Sequence, residues 1–567
     1  MTSRFSAFLG RYEGQINRVL HSLDQNHFSE RLWARDATLW KSGPEIQKKI
    51  KNRLGWLTVT GAMIDQAGEI MEFARSVREA GFTHVVLLGM GGSSLCPEVF
   101  RMSFGVVKGY PNLIVLDTTD PATILKTEKG IDLTKTLFIV ASKSGTTIEV
   151  ESLYSYFYEK LNAIKQDLIG DHFMAITDPG TPLEGLARTD NFRRIFLNPQ
   201  DIGGRYSALS YFGLVPAALI GIDINALLGR AEEMVHASAS SILAGENPGI
   251  RLGAILGGLG MEGRDKVTMI CSSDIGSFGC WLEQLIAEST GKEGKGLVPV
   301  EGEKIGEPWV YGDDRLFIYL KADSSPDKAL DRKVKELQAA GHPVVTIRLR
   351  DTFDLAKEFF RWEIATSAAG AIMGINPFDE PNVSESKENT RKILEKFQAT
   401  GQMSLQREIL EEEGIRLYGD AKAALDGSIK KTFEAFLIQA RPGDYLALMA
   451  YLEPSRAHEA LLQKLRHWIR DRYSIATTLG YGPRFLHSTG QLHKGGAGNG
   501  LFLQITADDQ EDIRIPGETY TFGILKSAQA LGDFYSLTSR GFRVLQIRLG
   551  SHIEKDLKKL IQLIGIS

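Results

Sequence analysis

Two loops combine hydroxyl side chains with glycine, a pattern that suits the binding of a small anion. One loop reads SKSGTT at residues 142–147, between an apolar run at 136–140 and a predicted helix. The other reads GMGGSS at residues 89–94 and follows an apolar run at 83–88. Backbone N–H groups, the positive end of a helix dipole and short hydroxyls together favour a phosphate group. The expected phosphate ligands are Ser93, Ser142, Lys143, Ser144, Thr146 and Thr147.

Each loop also has a plainer interpretation. Taken alone, the segment at 142–147 is compatible with an ordinary helix N-cap rich in serine and threonine. The segment at 89–94 is not a dinucleotide fingerprint, because Ser94 stands where the third glycine of G-x-G-x-x-G is required, and this disfavours an NAD enzyme. Since both loops follow patterns of parallel strands, we expect them to grip one phosphate from both sides.

A glutamate, an arginine and a lysine are the remaining candidates for chemistry. Glu288 ends an apolar helical segment, where partial burial would raise the pKa of a carboxyl group. Arg205 lies in GGRYS at 203–207, whose glycines allow a sharp turn, and Lys387 lies in NVSESK at 382–387. For residues of these types, a solvated glutamate, a structural ion pair and a surface lysine are the commoner outcomes.

The elements that must position these groups are alternating strands and helices. Apolar runs predict strands at 85–88, 113–116, 137–140, 173–176, 194–197, 267–271, 316–320 and 344–349, and a helix at 352–373. This alternation predicts an α/β fold with doubly wound parallel sheets and a site at the carboxyl ends of the strands. The predicted domains are a helical segment at 1–65, a first sheet domain at 66–235, a second at 236–390 and a C-terminal α/β domain at 391–567.

The C-terminal domain is predicted to be a degenerate repeat of the second sheet domain. The pattern ESTGxxxKG at 288–296 recurs as HSTGxxxKG at 487–495. The strand patterns at 316–320 and 344–349 recur at 501–505 and 544–549. Chance similarity between α/β segments is the alternative interpretation.

The composition of the chain bounds its class. Of 567 residues, 43% are hydrophobic, which is ordinary for a globular protein, and the formal net charge of −4 gives no basic footprint for nucleic acid. Three cysteines without C-x-x-C spacing indicate a reducing compartment and no zinc site. With no apolar stretch suited to a signal peptide or a membrane span, we expect a cytoplasmic protein that has no membrane partner.

Five motifs, taken in order, resemble the glucose-6-phosphate isomerase family of the sugar isomerase (SIS) fold. They are GMGGSS at 89–94, SKSGTTIE at 142–149, GGRYS at 203–207, ESTGK at 288–292 and NPFDEP at 376–381. The chain is most similar to the isomerase half of the transaldolase–isomerase fusion proteins, without the transaldolase barrel. The resemblance implies two SIS-like domains and interconversion of glucose 6-phosphate and fructose 6-phosphate through an enediol, with no cofactor or metal. The sequence leaves a homodimer open.

The resemblance also implies roles for individual residues. Glu288 falls on the family's proton-transfer glutamate, and Arg205 matches the residue that stabilises the enediolate. Lys387 matches a lysine that assists ring opening and contacts the phosphate. The residues expected near the sugar are Gly92, Glu149, Gly204 and Glu380, the last of which replaces the family's glutamine.

The family's ring-opening histidine has no match, because Arg315 occupies its expected position in GDDRL at 312–316. A guanidinium keeps its proton near neutral pH, whereas a histidine titrates there. His487 and His493 lie in a glycine-containing segment that we predict to be a mobile loop reaching a neighbouring site. We expect one of them, with His493 preferred, to replace the missing histidine. The alternative is that both are solvated and Lys387 opens the ring alone.

Two other functions compete with the isomerase. A non-catalytic sugar-phosphate-binding protein would keep the hydroxyl loops but would need neither Glu288 nor Arg205. An aminating enzyme that makes glucosamine 6-phosphate would need an N-terminal cysteine nucleophile, and the first cysteine in this sequence is Cys96.

Overall fold

Three sheets organise the fold in a computed structural model that describes residues 5–165, 167–403, 406–419 and 427–566. The strands are β1 (Phe5–Phe8), β2 (His84–Gly89), β3 (Asn112–Leu116), β4 (Thr136–Ala141), β5 (Phe173–Thr177), β6 (Arg194–Leu197), β7 (Lys266–Cys271), β8 (Val298–Val300), β9 (Arg315–Ala322), β10 (Val344–Leu349), β11 (Glu408–Glu412), β12 (Ile415–Gly419), β13 (Tyr445–Tyr451), β14 (Ala476–Tyr481), β15 (Gly500–Ala507) and β16 (Arg543–Leu549). The helices are α1 (Glu13–Gln25), α2 (Phe28–Trp33), α3 (Pro44–Lys51), α4 (Val59–Glu79), α5 (Leu95–Phe104), α6 (Pro121–Lys129), α7 (Ile148–Ile164), α8 (Pro182–Thr189), α9 (Tyr211–Leu219), α10 (Ile224–Ala237), α11 (Pro248–Met261), α12 (Phe278–Thr290), α13 (Lys328–Ala339), α14 (Leu355–Met373), α15 (Val383–Thr400), α16 (Ile429–Leu437), α17 (Arg456–Tyr473), α18 (Gly490–Gly495), α19 (Phe522–Thr538) and α20 (Ile553–Leu563).

The first sheet has the strand order β3-β2-β4-β5-β6, and its strands are parallel. Every residue of β4 is buried, as expected for a strand that is covered on both faces by helices. All five strands predicted in this region are confirmed. Because the strands are parallel, the loops that follow β2 and β4 leave the same edge of the sheet, and these are the two hydroxyl loops.

The second sheet has the order β1-β10-β9-β7-β8, in which β7 to β10 are parallel and β1 is an antiparallel edge strand. The predicted strands and the helix α14 are confirmed. The prediction missed β1, since residues 1–65 were expected to be helical. A four-residue edge strand has too short a pattern to identify, and it forms because β10 offers it a partner far along the chain.

The third sheet has the order β11-β12-β16-β15-β13-β14. Its four parallel strands, β16-β15-β13-β14, follow the same order as β10-β9-β7-β8 in the second sheet. Two of the three sequence echoes fall on corresponding strands, but the segment at 288–296 precedes β8 whereas the segment at 487–495 follows β14. The repeat therefore stays a prediction, and its first echo does not fit the topology.

The third sheet region packs against the first sheet. Helix α15 and helix α19 contribute Leu394, Phe522 and Leu525 to the apolar core that also contains Val140 of β4 and Phe157 of α7. The domain boundaries at 65, 235 and 390 stay a prediction. Within the described ranges, the helices are each too short or too polar to cross a lipid bilayer.

Candidate active site

A cleft of about 540 Å³ opens where β2 and β4 end, between the first sheet, α12 and the C-terminal region. The predicted site residues that line it are Gly92, Ser93, Lys143, Ser144, Thr147, Gly204, Arg205, Glu288, Glu380, Lys387 and His487. Residues from separate segments of the chain thus meet in one place, at the carboxyl edge of a parallel sheet, where ligands of such folds bind.

The SKSGTT loop forms the hydroxyl wall of the cleft. Ser144 and Thr147 face the cleft, whereas Ser142 is buried beneath the loop and accepts a hydrogen bond from the Gly145 N–H at 3.1 Å. The Ser142 and Thr147 hydroxyls lie 2.9 Å apart, so Ser142 holds Thr147 rather than facing the cleft. Thr146 is exposed, and its hydroxyl lies 3.1 Å from that of Ser144, outside the cleft lining.

Lys143 brings the positive charge of this wall. Its ammonium forms an ion pair with Asp178, which also lines the cleft, and lies 3.4 Å from the Gln200 carbonyl oxygen. Because Asp178 already neutralises much of this charge, we expect Lys143 to attract an anion less strongly than a free lysine would.

The GMGGSS loop meets the GGRYS loop by direct backbone contact. A Cβ at Gly92 would lie 2.1 Å from the Gly204 carbonyl oxygen, a distance that no side chain tolerates. Glycine at 92 therefore lets the two loops close one end of the cleft, where Ser93 and Arg205 both line it.

Glu288 lies at the end of α12 and only 8% of its surface is exposed. Its Oε1 accepts a hydrogen bond from Arg205 Nη1 at 3.1 Å and its Oε2 accepts one from Gln284 Nε2 at 3.0 Å. Burial raises the pKa of Glu288; the charge of Arg205 opposes this rise, and the carboxylate of Glu380 adds to it. A buried carboxylate with a raised pKa in a cleft is suited to accept a proton from carbon and to return it.

Arg205 is 2% exposed, and each of its three nitrogens donates to a protein acceptor. Its Nε donates to the Ser289 hydroxyl at 2.7 Å, and its Nη2 donates to the backbone carbonyls of Pro377 and Asp379 at 2.8 and 3.0 Å. Its Nη1 donates to Glu288 and to Glu380, which bring two carboxylates to one guanidinium nitrogen. The loop at 376–381 therefore fixes this cation next to the candidate base.

Glu380 and Lys387 extend the cleft towards solvent. The Glu380 carboxylate accepts a hydrogen bond from Arg205 at 3.0 Å, and its side chain is 40% exposed. Lys387 lines the cleft from α15. An acid at 380 can thus pair with Arg205, and a glutamine at this position could accept the same hydrogen bond.

His487 reaches the cleft from the C-terminal region. Its Nε2 lies 2.9 Å from Glu149 Oε1, and the Glu149 carboxylate also accepts a hydrogen bond from Gln529 at 2.7 Å. Burial acts to raise the pKa of Glu149, but the charge and hydrogen bond of His487 oppose it and the net shift is downwards. Arg484 anchors this segment to the first sheet through Asp117, with Nη2 and Oδ1 2.7 Å apart.

The structure does not bring His493 to the cleft. His493 is 4% exposed, packs against Tyr445 and Phe502, and has no hydrogen-bond partner at either ring nitrogen among the described residues. Burial lowers its pKa to about 3. The predicted mobile loop is wrong as well, because Gly490–Gly495 is a short buried helix that Lys494 ties to Asp533 at 2.6 Å. His487 is the one of the pair that lies at the site.

Arg315 does not lie at the cleft either. It begins β9, is 1% exposed and pairs with Glu303 at 3.5 Å. Arg315, which stands at the expected position of the family's histidine, is therefore a structural residue of the second sheet.

Several residues of the site carried no sequence signal that we used. Gln284 bridges Glu288 and the His487 carbonyl, and Gln529 holds Glu149. Lys292 is buried and donates to the Asp379 carboxylate at 2.9 Å, and burial lowers its pKa to about 8. Of these residues, only Lys292 could have been identified from the sequence, because it ends the motif ESTGK. The two glutamines reveal their roles only through contacts distant in sequence.

Comparison with known proteins supports the resemblance found in the sequence. Residues 64–303 match the model of the phosphoglucose isomerase family. The chain is 27% identical over 387 residues to a probable glucose-6-phosphate isomerase of Methanococcus maripaludis, a match that covers 61% of this chain and 86% of the relative. It is 29% identical over 372 residues to the glucose-6-phosphate isomerase of Rubrobacter xylanophilus, covering 56% of this chain and 84% of the relative. The predicted resemblance to glucose-6-phosphate isomerases is confirmed; the closer likeness to the fusion proteins stays a prediction.

Among solved structures, a hypothetical protein of Thermus thermophilus is similar in fold. The two chains superpose with a TM-score of 0.58 at 24% sequence identity, over 68% of this chain and 99% of the other. The predicted α/β fold with parallel sheets is confirmed.

Proposed function

We propose that this chain, which carries a phosphoglucose isomerase domain at residues 64–303, interconverts glucose 6-phosphate and fructose 6-phosphate. The observation that carries the proposal is the buried contact of Glu288 with Arg205, 3.1 Å apart, in the cleft that the two hydroxyl loops also line. An aldose–ketose isomerase needs a base, a cation near the developing oxyanion and a grip on the phosphate. Glu288, Arg205 and the hydroxyl loops, which line one cleft, would supply these three functions.

The hydroxyl loops would hold the phosphate group. Ser93, Ser144 and Thr147 face the cleft from two loops and can donate to phosphate oxygens. Helix α7 starts directly after Thr147, so its dipole adds positive potential at the same point. The phosphate would therefore anchor one end of the sugar and leave carbons 1 and 2 near Glu288.

Glu288 would transfer the proton between carbons 1 and 2. In the direction of fructose 6-phosphate, its carboxylate takes the proton from carbon 2 of the open-chain aldose, which forms the enediolate. The same carboxyl then returns the proton to carbon 1, while the hydroxyl proton on the oxygen of carbon 2 passes to the oxygen of carbon 1. Carbon 2 thereby becomes the carbonyl carbon of the ketose, and the charge of the system does not change. When Glu288 gains the proton, negative charge moves from its carboxylate to the substrate oxygen, and the fixed cation of Arg205 can stabilise it in either place.

His487 would open and close the sugar ring. Glu149 orients its imidazole through the 2.9 Å contact at Nε2, while the side chain of His487 lines the cleft. A histidine can take the proton of the anomeric hydroxyl and return one to the ring oxygen, which an arginine cannot do near neutral pH. Lys387, which lines the same cleft, is placed to assist at the phosphate or at this step.

A non-catalytic sugar-phosphate-binding protein is not favoured. Binding alone would require the hydroxyl loops but not a buried carboxylate with a raised pKa beside a fully engaged arginine. Burying the ion pair of Glu288 and Arg205 carries a desolvation cost, and the binding of a sugar phosphate alone does not require this pair.

The test is a coupled assay of purified protein with fructose 6-phosphate, with and without a chelator of divalent metals. We expect glucose 6-phosphate to form at the same rate in both cases, because Arg205 supplies the positive charge. No turnover, or turnover only with added divalent metal, would contradict the proposal.

Cellular location and assembly are parts of the same proposal. The three unpaired cysteines, Cys96, Cys271 and Cys280, favour a reducing compartment such as the cytoplasm. We expect sugar phosphates, rather than nucleic acid or a membrane, as the partner. A homodimer stays a prediction, and light scattering would test it.

A further inference from the structure

A second cavity of about 790 Å³ lies apart from the cleft, beside the N-terminal turns of α11 and α14 and the end of β10. It shares no lining residue with the cleft. Its charged lining comprises the basic residues Arg251, Arg348, Arg350, Lys357 and Arg361 and the acidic residues Glu233, Glu246, Asp354 and Glu358.

Most of these charges are paired within the protein. Arg350 contacts Asp354 and Glu233, each at 2.9 Å, and Lys357 lies 3.3 Å from Asp354 and also pairs with Glu233. Arg348 lies 2.9 Å from Asp323. These pairs are satisfied and do not by themselves call for a ligand.

Arg361 is not satisfied in this way. It is 4% exposed, and only its Nη2 finds an acceptor, Glu358 Oε1 at 3.2 Å. Its Nε and Nη1 have no hydrogen-bond partner among the described residues, although both are buried. A buried, charged group with an unpartnered donor destabilises the folded protein, so a bound ligand that supplies an acceptor at this point would stabilise it.

Arg251 and Glu358 line the same cavity as Arg361 and would contact a ligand bound there. Arg251 lies over the ring of Phe5, 5.1 Å from its centre, and forms no ion pair within the described residues. Glu358 is 2% exposed, and its Oε2 also lacks a partner among the residues that the structure describes. The cavity is therefore lined by two arginines whose hydrogen-bonding capacity is not fully used and by one buried carboxyl group.

We propose that this cavity is a second anion site that binds a small oxyanion, such as the phosphate group of a metabolite. A hydrogen phosphate fits both needs, because its oxygens accept from Arg361 and Arg251 while its hydroxyl donates to Glu358. The N-terminal turns of α11 and α14 add favourable potential for negative charge. Arginine is also the side chain best suited to oxyanions.

The test is equilibrium dialysis of the full chain with radiolabelled inorganic phosphate, which counts bound phosphate per chain. We expect two sites in the wild type, one in the cleft and one in this cavity. Arg361→Gln should weaken the second site by about 10- to 100-fold, the effect of losing a charged hydrogen bond. Arg251→Gln, at a half-buried position that tolerates change more readily, should weaken it too.

Two controls make the outcome decisive. Arg332→Gln on α13 makes the same chemical change at a side chain that is 73% exposed, and it should bind two phosphates like the wild type. Ser142→Ala with Thr147→Ala should weaken phosphate binding in the cleft by about tenfold or more and leave the cavity unchanged, so a failure of the cleft is distinguishable from a failure of the cavity. The proposal is overturned if Arg361→Gln and Arg251→Gln both bind phosphate with wild-type stoichiometry and affinity.

Discussion

Replacing His487 with glutamine isolates the ring-opening step from proton transfer at carbon. The glutamine amide can reach Glu149 Oε1, which His487 Nε2 contacts at 2.9 Å, so a hydrogen bond to this carboxylate is kept. Gln529 holds the same carboxylate at 2.7 Å. We therefore expect the variant to fold and to keep Glu149 in place, while it loses the group that exchanges protons with the sugar ring.

The expected loss follows from the role of His487. A positioned acid–base group contributes about 10²–10⁴ in rate, which is about 2.7–5.5 kcal/mol of activation free energy. Because Glu288 and Arg205 make no side-chain hydrogen bond to His487 within the described residues, the proton transfer between carbons should keep its rate. The effect should therefore fall on cyclic substrate alone.

The assay compares two substrates for each variant. Fructose 6-phosphate is mostly cyclic, whereas an analogue without the 5-hydroxyl group cannot close its ring. His487→Gln should slow the first by about 10²–10⁴ and leave the second unchanged. His493→Leu is the matched control, since that imidazole is buried away from the cleft and should affect neither substrate. Wild-type turnover of the cyclic substrate by His487→Gln would refute this account of ring opening and would leave Lys387 or water to do the work.

Three further predictions concern the phosphate, the pH dependence and the fold. Ser142→Ala with Thr147→Ala should raise the Michaelis constant for fructose 6-phosphate by about tenfold or more, and an unchanged constant would place the phosphate elsewhere. Because Glu288 acts as a base in its deprotonated form, activity should fall as the pH drops through the raised pKa of Glu288. Glu380→Gln removes a carboxylate that raises this pKa, so the acidic limb of the kcat/KM profile should move to lower pH. An acidic limb at the wild-type pH would contradict the influence of Glu380 on Glu288. Lys494→Met leaves a buried carboxylate unpaired and should lower the free energy of unfolding in urea by about 3–5 kcal/mol, which an unchanged midpoint would exclude.

The strands and the two hydroxyl loops were predictable because their signals are local. An apolar run that ends in serine, threonine and glycine marks both the end of a buried strand and the start of a helix, and parallel pairing then brings such ends together. The placement of Glu288 at the end of α12 follows equally from the apolar segment before it.

What escaped prediction depends on contacts that are distant in sequence. The four-residue strand β1 exists through its pairing with β10, and the contact of Gln529 with Glu149 joins residues 380 positions apart. His487 and His493 share one short segment, and only the packing of His493 against Phe502 separates a buried histidine from one at the cleft. Local pattern therefore located the segment but favoured the wrong histidine for the cleft.

Solvent isotope exchange with Glu288→Gln tests the central claim most directly. In deuterated water, the wild type should convert fructose 6-phosphate to glucose 6-phosphate that carries deuterium at carbon 2, because the proton passes through a carboxyl group that exchanges with solvent. Glu288→Gln keeps the size of the side chain and an acceptor for Arg205 but removes the base, so both turnover and exchange should fall by about 10²–10⁴ while binding of the sugar phosphate is retained. Exchange at the wild-type rate in Glu288→Gln would contradict the assignment of Glu288 as the base.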